Sequence, residues 1–279
     1  MAYDDYQALR VELVDGVATV TIDHGPINLF DLVLYQEMSR LALALQDDRD
    51  VRVVVVQSAN PGWFIAHFDV ELILRFPPLP APTELNEFHL MCERFRTMPK
   101  PTIAVIQGRV GGGGSELALS FDMRFATLGA AVFIQPEVAL GIIPGGSGTV
   151  RLADLVGRSR ALEIVLGCED IDAATAERWG WVNRALPPDE VRPFVQRLAT
   201  RMAGFPPHAV AEAKASVLRA QGDVRGRLLD EAAAFARCLT QPSARAAMEA
   251  FLAAGGQTVD GEMRLGALCG ELAAVPDAQ

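Results

Sequence analysis

The chain is 279 residues long, 50% hydrophobic and 22% charged, which is enough apolar material for a large core and too little polarity for a disordered chain. Its net charge of -10 and pI of about 4.9 argue against a nucleic-acid binder, which would carry a basic face, though not against a small anionic ligand gripped by a few arginines. Four widely spaced cysteines without a C-x-x-C pair suggest neither a zinc site nor a disulfide framework and fit a reducing compartment; with no apolar signal core and no run of the ~20 residues needed to span a bilayer, the expectation is a cytoplasmic protein without membrane contact.

The first element is a hairpin in "LRVELVDGVATVTIDH", turned at Asp15-Gly16 between two β-branched runs. "DLVLYQEMSRLALALQDD" places Leu34, Met38, Leu41 and Leu45 at helical spacing, with Asp31 as N-cap. "VRVVVVQS" is a continuous β-branched run, as expected of a strand buried on both faces. After a loop in "ANPGWFIAHFD" and a proline-rich break, "ELNEFHLMCERFRTM" reads as a helix capped by Thr83 and ended by Pro99 and Pro101. "TIAVIQG" is a buried strand joined by a glycine run to the helix "SELALSF", and "DMRFAT" and "AVFIQP" are short strands. This is an α/β order. Beyond about Gly145 the pattern becomes helical, and a C-terminal helical region is expected from residue 206 to 279, after a core domain over residues 1–205. Its alanine- and leucine-rich helices suit either an oligomer interface or packing within the chain. The tail after Gly255, mixing glycine, acids and alanines, reads as loosely held.

Three stretches carry chemistry. "RVGGGGSELALS" lacks the Lys-Ser/Thr ending of a P-loop and is not a dinucleotide fingerprint. Glycines at a helix start let backbone N–H groups approach a developing negative charge, which suits one half of an oxyanion hole. Glu116 follows directly, at a position that also suits an ordinary helix-start glutamate. In "FIQPEVALGIIPGGSGTVRL", Glu137 sits among apolar residues, where burial would raise its pKa and fit it for proton transfer; a buried ion pair is the alternative. In "WFIAHFDVEL", Asp69 is a possible N-cap beside a second exposed amide near Ala66. His67 reads as structural, because no serine or cysteine nucleophile is marked for it.

Together these stretches resemble the enoyl-CoA hydratase/isomerase (crotonase) superfamily. Residues 100–126, "KPTIAVIQGRVGGGGSELALSFDMRFA", resemble its glycine-rich signature, and residues 133–152 its second signature. "FIAHFDV" is similar to the first oxyanion loop, and "AERWGWVNRALP" to the motif after the core. The resemblance implies a crotonase-like spiral of ββα units with a C-terminal helical oligomerisation region, assembling as a homotrimer or homohexamer. It implies an acyl-CoA thioester substrate of fatty acid metabolism, with coenzyme A part of the substrate, no separate cofactor and no metal. Carried over by position, the backbone N–H groups of Ala66 and Gly113 would hold the thioester oxygen, and Glu116 and Glu137 would handle the protons. Family isomerases often keep only the acid at the Glu137 position, so two glutamates imply hydration, with isomerisation or another enolate reaction as the alternative. The chain departs from the pattern at His67 and Phe68, where the family usually has A-G-A/S-D. Lys100 and Lys214 are its only lysines, so coenzyme A phosphate contacts would fall to arginines or to Lys214.

Overall fold

A computed structural model describes Tyr3 and residues 5–77 and 82–273. The hairpin forms as expected, from β1 (Leu9–Val14) and β2 (Val17–Ile22), with Asp15 and Gly16 at φ of 49° and 79°, the left-handed pair a two-residue hairpin turn requires. Helix α1 (Leu32–Asp47) begins where Asp31 accepts the Leu34 N–H at 3.0 Å. Asp31→Ala should cost about 1 kcal/mol by this cap alone, read by urea unfolding.

The chain then repeats one unit. A strand of a large sheet leads into a strand of a small sheet and then a helix: β3 (Val53–Ser58), β4 (Trp63–Ile65) and α2 (Val70–Leu74). Helix α3 (Glu87–Thr97) intervenes before β5 (Thr102–Ile106), β6 (Arg109–Gly111) and α4 (Gly112–Ser120). The third turn has β7 (Met123–Thr127), β8 (Val132–Ile134) and a single 3-10 turn over Glu137–Leu140. After it come α5 (Gly148–Val156), α6 (Arg158–Gly167), β9 (Ile171–Asp172), α7 (Ala173–Trp179), β10 (Arg184–Leu186) and α8 (Val191–Ala203). The large sheet runs β1-β2-β3-β5-β7-β10, parallel except for the β1–β2 hairpin, and the small one β4-β6-β8-β9. This is the expected spiral of ββα turns. Its first core cluster fills the space around α1, with Leu34, Met38, Leu41 and Leu45 fully buried against Val54, Val56 and Ile106.

Two local expectations need correction. Helix α3 is capped by Asn86, which accepts the His89 N–H at 2.8 Å, and Thr83 lies before the helix. Leu85 is buried with Val150 and Leu228, which fixes the chain's entry immediately before Asn86. The C-terminal helices are α9 (Pro207–Arg219), α10 (Val224–Leu239), α11 (Pro242–Ala253), α12 (Val259–Met263) and α13 (Leu265–Ala273). Far from being loosely held, residues 256–273 are anchored: Leu265 and Leu268 pack with Met248 and Phe251 against Leu140 and Ile142 of the 3-10 turn and the loop after it, and the rest of the tail lies outside the described residues. Apolar residues at helical spacing outweigh the local glycine content there. The C-terminal helices therefore brace the segment that carries Glu137. Among the described residues no helix is long and apolar enough to cross a membrane.

Candidate active site

Strand β6 ends at Gly111 and α4 starts at once. Gly112 has φ of 44°, which disfavours any side chain, and a Cβ on it would lie 2.9 Å from Glu137 Oε1 and 3.1 Å from His67 Cβ. A Cβ on Gly113 would lie 3.0 Å from Phe68 Cβ and 3.4 Å from Phe68 N. The glycines thus let the start of α4 press against both the loop before α2 and the glutamate of the 3-10 turn.

The loop partner differs from expectation. Ala66 N–H donates to Ile27 O at 3.2 Å and is not free for a ligand. Phe68 pairs with Phe30 as an isolated parallel bridge: Phe30 N donates to His67 O at 2.9 Å, and Asp69 N to Phe30 O at 3.2 Å. In a parallel bridge the central residue turns its own N–H to the opposite side. For Phe68 that side faces Gly113, and among the described residues neither the Phe68 nor the Gly113 N–H has an acceptor. The structure brings Phe68, not Ala66, to Gly113. Asp69 caps α2 as expected, accepting from Glu71 N at 2.9 Å.

Glu116 and Glu137 line one cavity of roughly 520 Å³, together with Gly113 and Phe68 and apolar walls that include Tyr35, Phe88, Leu140 and Phe235. Their surroundings differ. Glu116 Oε1 accepts the N–H groups of Gly146 and Gly148, both at 2.8 Å, from the start of α5. Glu137 Oε2 is buried with no partner among the described residues. Burial pushes Glu116 well above the ordinary carboxylate range, helped by the charges of Glu137 and Glu231 and opposed by the two amides. Burial likewise lifts Glu137 to about 7, with its own backbone amide and then His67 pulling the other way. Two carboxyls coupled in this way titrate as a pair. Within the pair, two amides favour the charge on Glu116, while at Glu137 burial favours the proton and its own backbone amide and His67 oppose it.

The sequence profile of the enoyl-CoA hydratase/isomerase family matches residues 12–256. The chain belongs to that family. Among enoyl-CoA hydratase/isomerase relatives, the short-chain-enoyl-CoA hydratase of Clostridium acetobutylicum is 32% identical over 85% of this chain and 91% of its own length. The crotonyl-CoA hydratase of Syntrophomonas wolfei is 34% identical over 88% and 95%. A solved structure from Streptomyces avermitilis, 38% identical, superposes with a TM-score of 0.89 over 96% of this chain and 99% of that one. An enoyl-CoA hydratase structure from Mycobacterium avium subsp. paratuberculosis, 26% identical, superposes at 0.76 over 87% and 98%.

Two buried residues of the site escape a reading of sequence. Glu231, on α10, accepts the N–H groups of Ser147 at 2.6 Å and Thr149 at 2.9 Å, fixing the first turn of α5 from which Gly146 and Gly148 reach Glu116. Glu262, on α12, pairs with His67 at 2.9 Å. No local motif marks either. Lys214 is engaged elsewhere, 2.8 Å from Asp122 and donating to Lys100 O at 2.8 Å, and Lys100 donates to the carbonyls of Leu45 and Asp48. Neither lysine is free to meet a phosphate.

Proposed function

We propose that this enzyme is an enoyl-CoA hydratase that adds water across the 2,3 double bond of an enoyl-CoA thioester. The observation that carries the reading is a pair of buried carboxyls, Glu116 held by two backbone amides and Glu137 with Oε2 unpartnered, lining one cavity beside two backbone N–H groups that have no acceptor among the described residues. The N–H groups of Phe68 and Gly113 hold the thioester oxygen as it takes up negative charge. Glu116, its charge steadied by two amides, removes a proton from water as the oxygen bonds to the β-carbon. Glu137 delivers its proton to the α-carbon as the enolate collapses, leaving a 3-hydroxyacyl thioester. The proton taken up by Glu116 then balances the one given by Glu137. Coenzyme A enters only as part of the substrate. The names of the Clostridium and Syntrophomonas relatives support a short enoyl chain as the first substrate to try. The test is loss of the conjugated enoyl thioester absorbance on adding crotonyl-CoA or a longer enoyl-CoA; intact thioester with every chain length would sink the reading.

Bulk at His67 and Phe68, where the family usually has small residues, favours a second reading, double-bond isomerisation. Conversion of a 3-enoyl to a 2-enoyl thioester without net hydration, surviving Glu116→Gln, would favour it over hydration.

The oxyanion site can be probed directly. A valine at position 113 would drive its side chain into Phe68 Cβ and push the two amides apart. Gly113→Val should lower turnover by about 10²-fold or more while far-UV circular dichroism stays unchanged. Assembly into a trimer or hexamer rests on the resemblance. It is supported by α9, none of whose described residues is buried and where Val217 is 71% exposed. Light scattering of the purified protein tests it, and a monomer would rule it out.

A further inference from the structure

A buried ion pair reaches the cavity from the C-terminal end of the chain. His67 Nδ1 lies 2.8 Å from Phe68 O, and Nε2 lies 2.9 Å from Glu262 Oε1, which also accepts the Gln257 N–H at 2.9 Å. A peptide carbonyl and a carboxylate have no hydrogen to give. An acceptor facing each ring nitrogen fits an imidazolium, with a hydrogen on both. The two side chains are only 4% and 1% exposed, and the Phe251 ring packs edge-on to the imidazole at 5.7 Å. Such a charge is costly to bury, and one that serves only to hold α12 in place could be replaced by apolar contact.

Its position suggests a use. His67 Cβ and Glu137 Oε1 converge on the same space above Gly112, each within 3.1 Å of a Cβ placed there. Glu137 is also faced by Glu231 from α10, by the Cys168 thiol after α6 and by the Cys269 thiol of α13, and it is coupled to Glu116 of α4. Glu262 feels Arg109 of β6, which is itself paired with Asp170 at 2.5 Å. The His67 charge favours the Glu137 carboxylate.

We propose that His67 and Glu262 are positioning residues for Glu137, supplying a fixed, buried positive charge that steadies its carboxylate once its proton has passed to substrate. The proposal rests on the hydratase reading for its catalytic consequence but not for its electrostatic one. Although burial opposes the charge, Glu262 outweighs it and holds His67 at about 9. His67 thus stays charged across the pH range in which Glu137 titrates. Without that charge the Glu137 carboxylate forms less readily, and its pKa should rise by about one unit.

Two substitutions keep the shape and alter the charge: His67→Gln, and Glu262→Gln, which removes the counter-ion and lets the imidazole become neutral near pH 7. Histidine NMR, assigned by His67→Gln, should show a wild-type imidazolium persisting above pH 8. The Glu137 carboxyl carbon should titrate about one pH unit higher in both variants, a shift that a merely structural role would not produce. With crotonyl-CoA, both variants should show kcat reduced by about tenfold or more, the basic limb of the pH profile moved upward, and KM nearly unchanged. If His67→Gln does not fold, Glu262→Gln carries the same measurements. A neutral His67 in the wild type at pH 7, or a Glu137 titration unmoved in the variants, overturns the proposal. A wild type that hydrates nothing overturns the hydratase reading instead and leaves the carboxyl titration to decide on the pair.

Discussion

Glu116→Gln and Glu137→Gln should each lower turnover of crotonyl-CoA by about 10²–10⁴-fold, with each variant folding normally. Glutamine keeps the volume of both side chains, so the cavity wall is preserved. At position 137 it cannot donate a proton to carbon. At position 116 its amide oxygen can still accept the Gly146 and Gly148 N–H groups, which bind Oε1 in the native protein, but its nitrogen then faces the water that a carboxylate would deprotonate. The loss should fall on kcat rather than KM, because both groups act as protons move. Since the two act as a unit, the double variant should be little worse than the poorer single one. Full activity in both single variants would remove the two-carboxylate mechanism.

What could be read from sequence and what could not divides by the range of the interaction. The Asp15-Gly16 turn, the Asp31 and Asp69 caps and the continuous strands are local, and they form as written. Glu116 and Glu137 were legible because an acid behind a glycine run, or among apolar residues, is conspicuous within a few positions. The spiral itself came only through resemblance, since α/β alternation alone does not say that successive strands enter two different sheets. The Phe68 amide escapes a reading of sequence because its direction is set by the bridge to Phe30, a partner that no periodicity in the loop reveals. Glu231 and Glu262 were missed for the same reason on a larger scale: each joins the site from a C-terminal helix whose own sequence shows only an ordinary acid. Glycine and charge dominate the local sequence after Gly255, yet through residue 273 Leu265 and Leu268 dock it.

Glu231→Ala should be the most damaging single change outside the reacting groups, and the reason lies in the first turn of α5. Ser147 is held at φ of 110°, a conformation that strains any residue with a side chain. Its N–H is fixed by Glu231 Oε2, while Glu231 Oε1 accepts from Thr149 N and from the Thr149 hydroxyl. Alanine at 231 would orphan the buried Ser147 N–H and the half-buried Thr149 donors, at about 1–3 kcal/mol for a fully buried one, so a loss on the order of 3 kcal/mol is expected in urea unfolding. The damage should extend to turnover, because Gly146 and Gly148 flank the strained residue and their amides hold Glu116. Glu231→Gln separates the two effects. It keeps an acceptor oxygen and most of the turn but removes a negative charge that helps to raise Glu116. The Glu116 pKa should then fall, and the acid limb of the pH–rate profile should move to lower pH as stability drops by less than in the alanine variant. A Glu231→Ala protein with native stability and native turnover would show that α5 holds its first turn, and Glu116 with it, unaided.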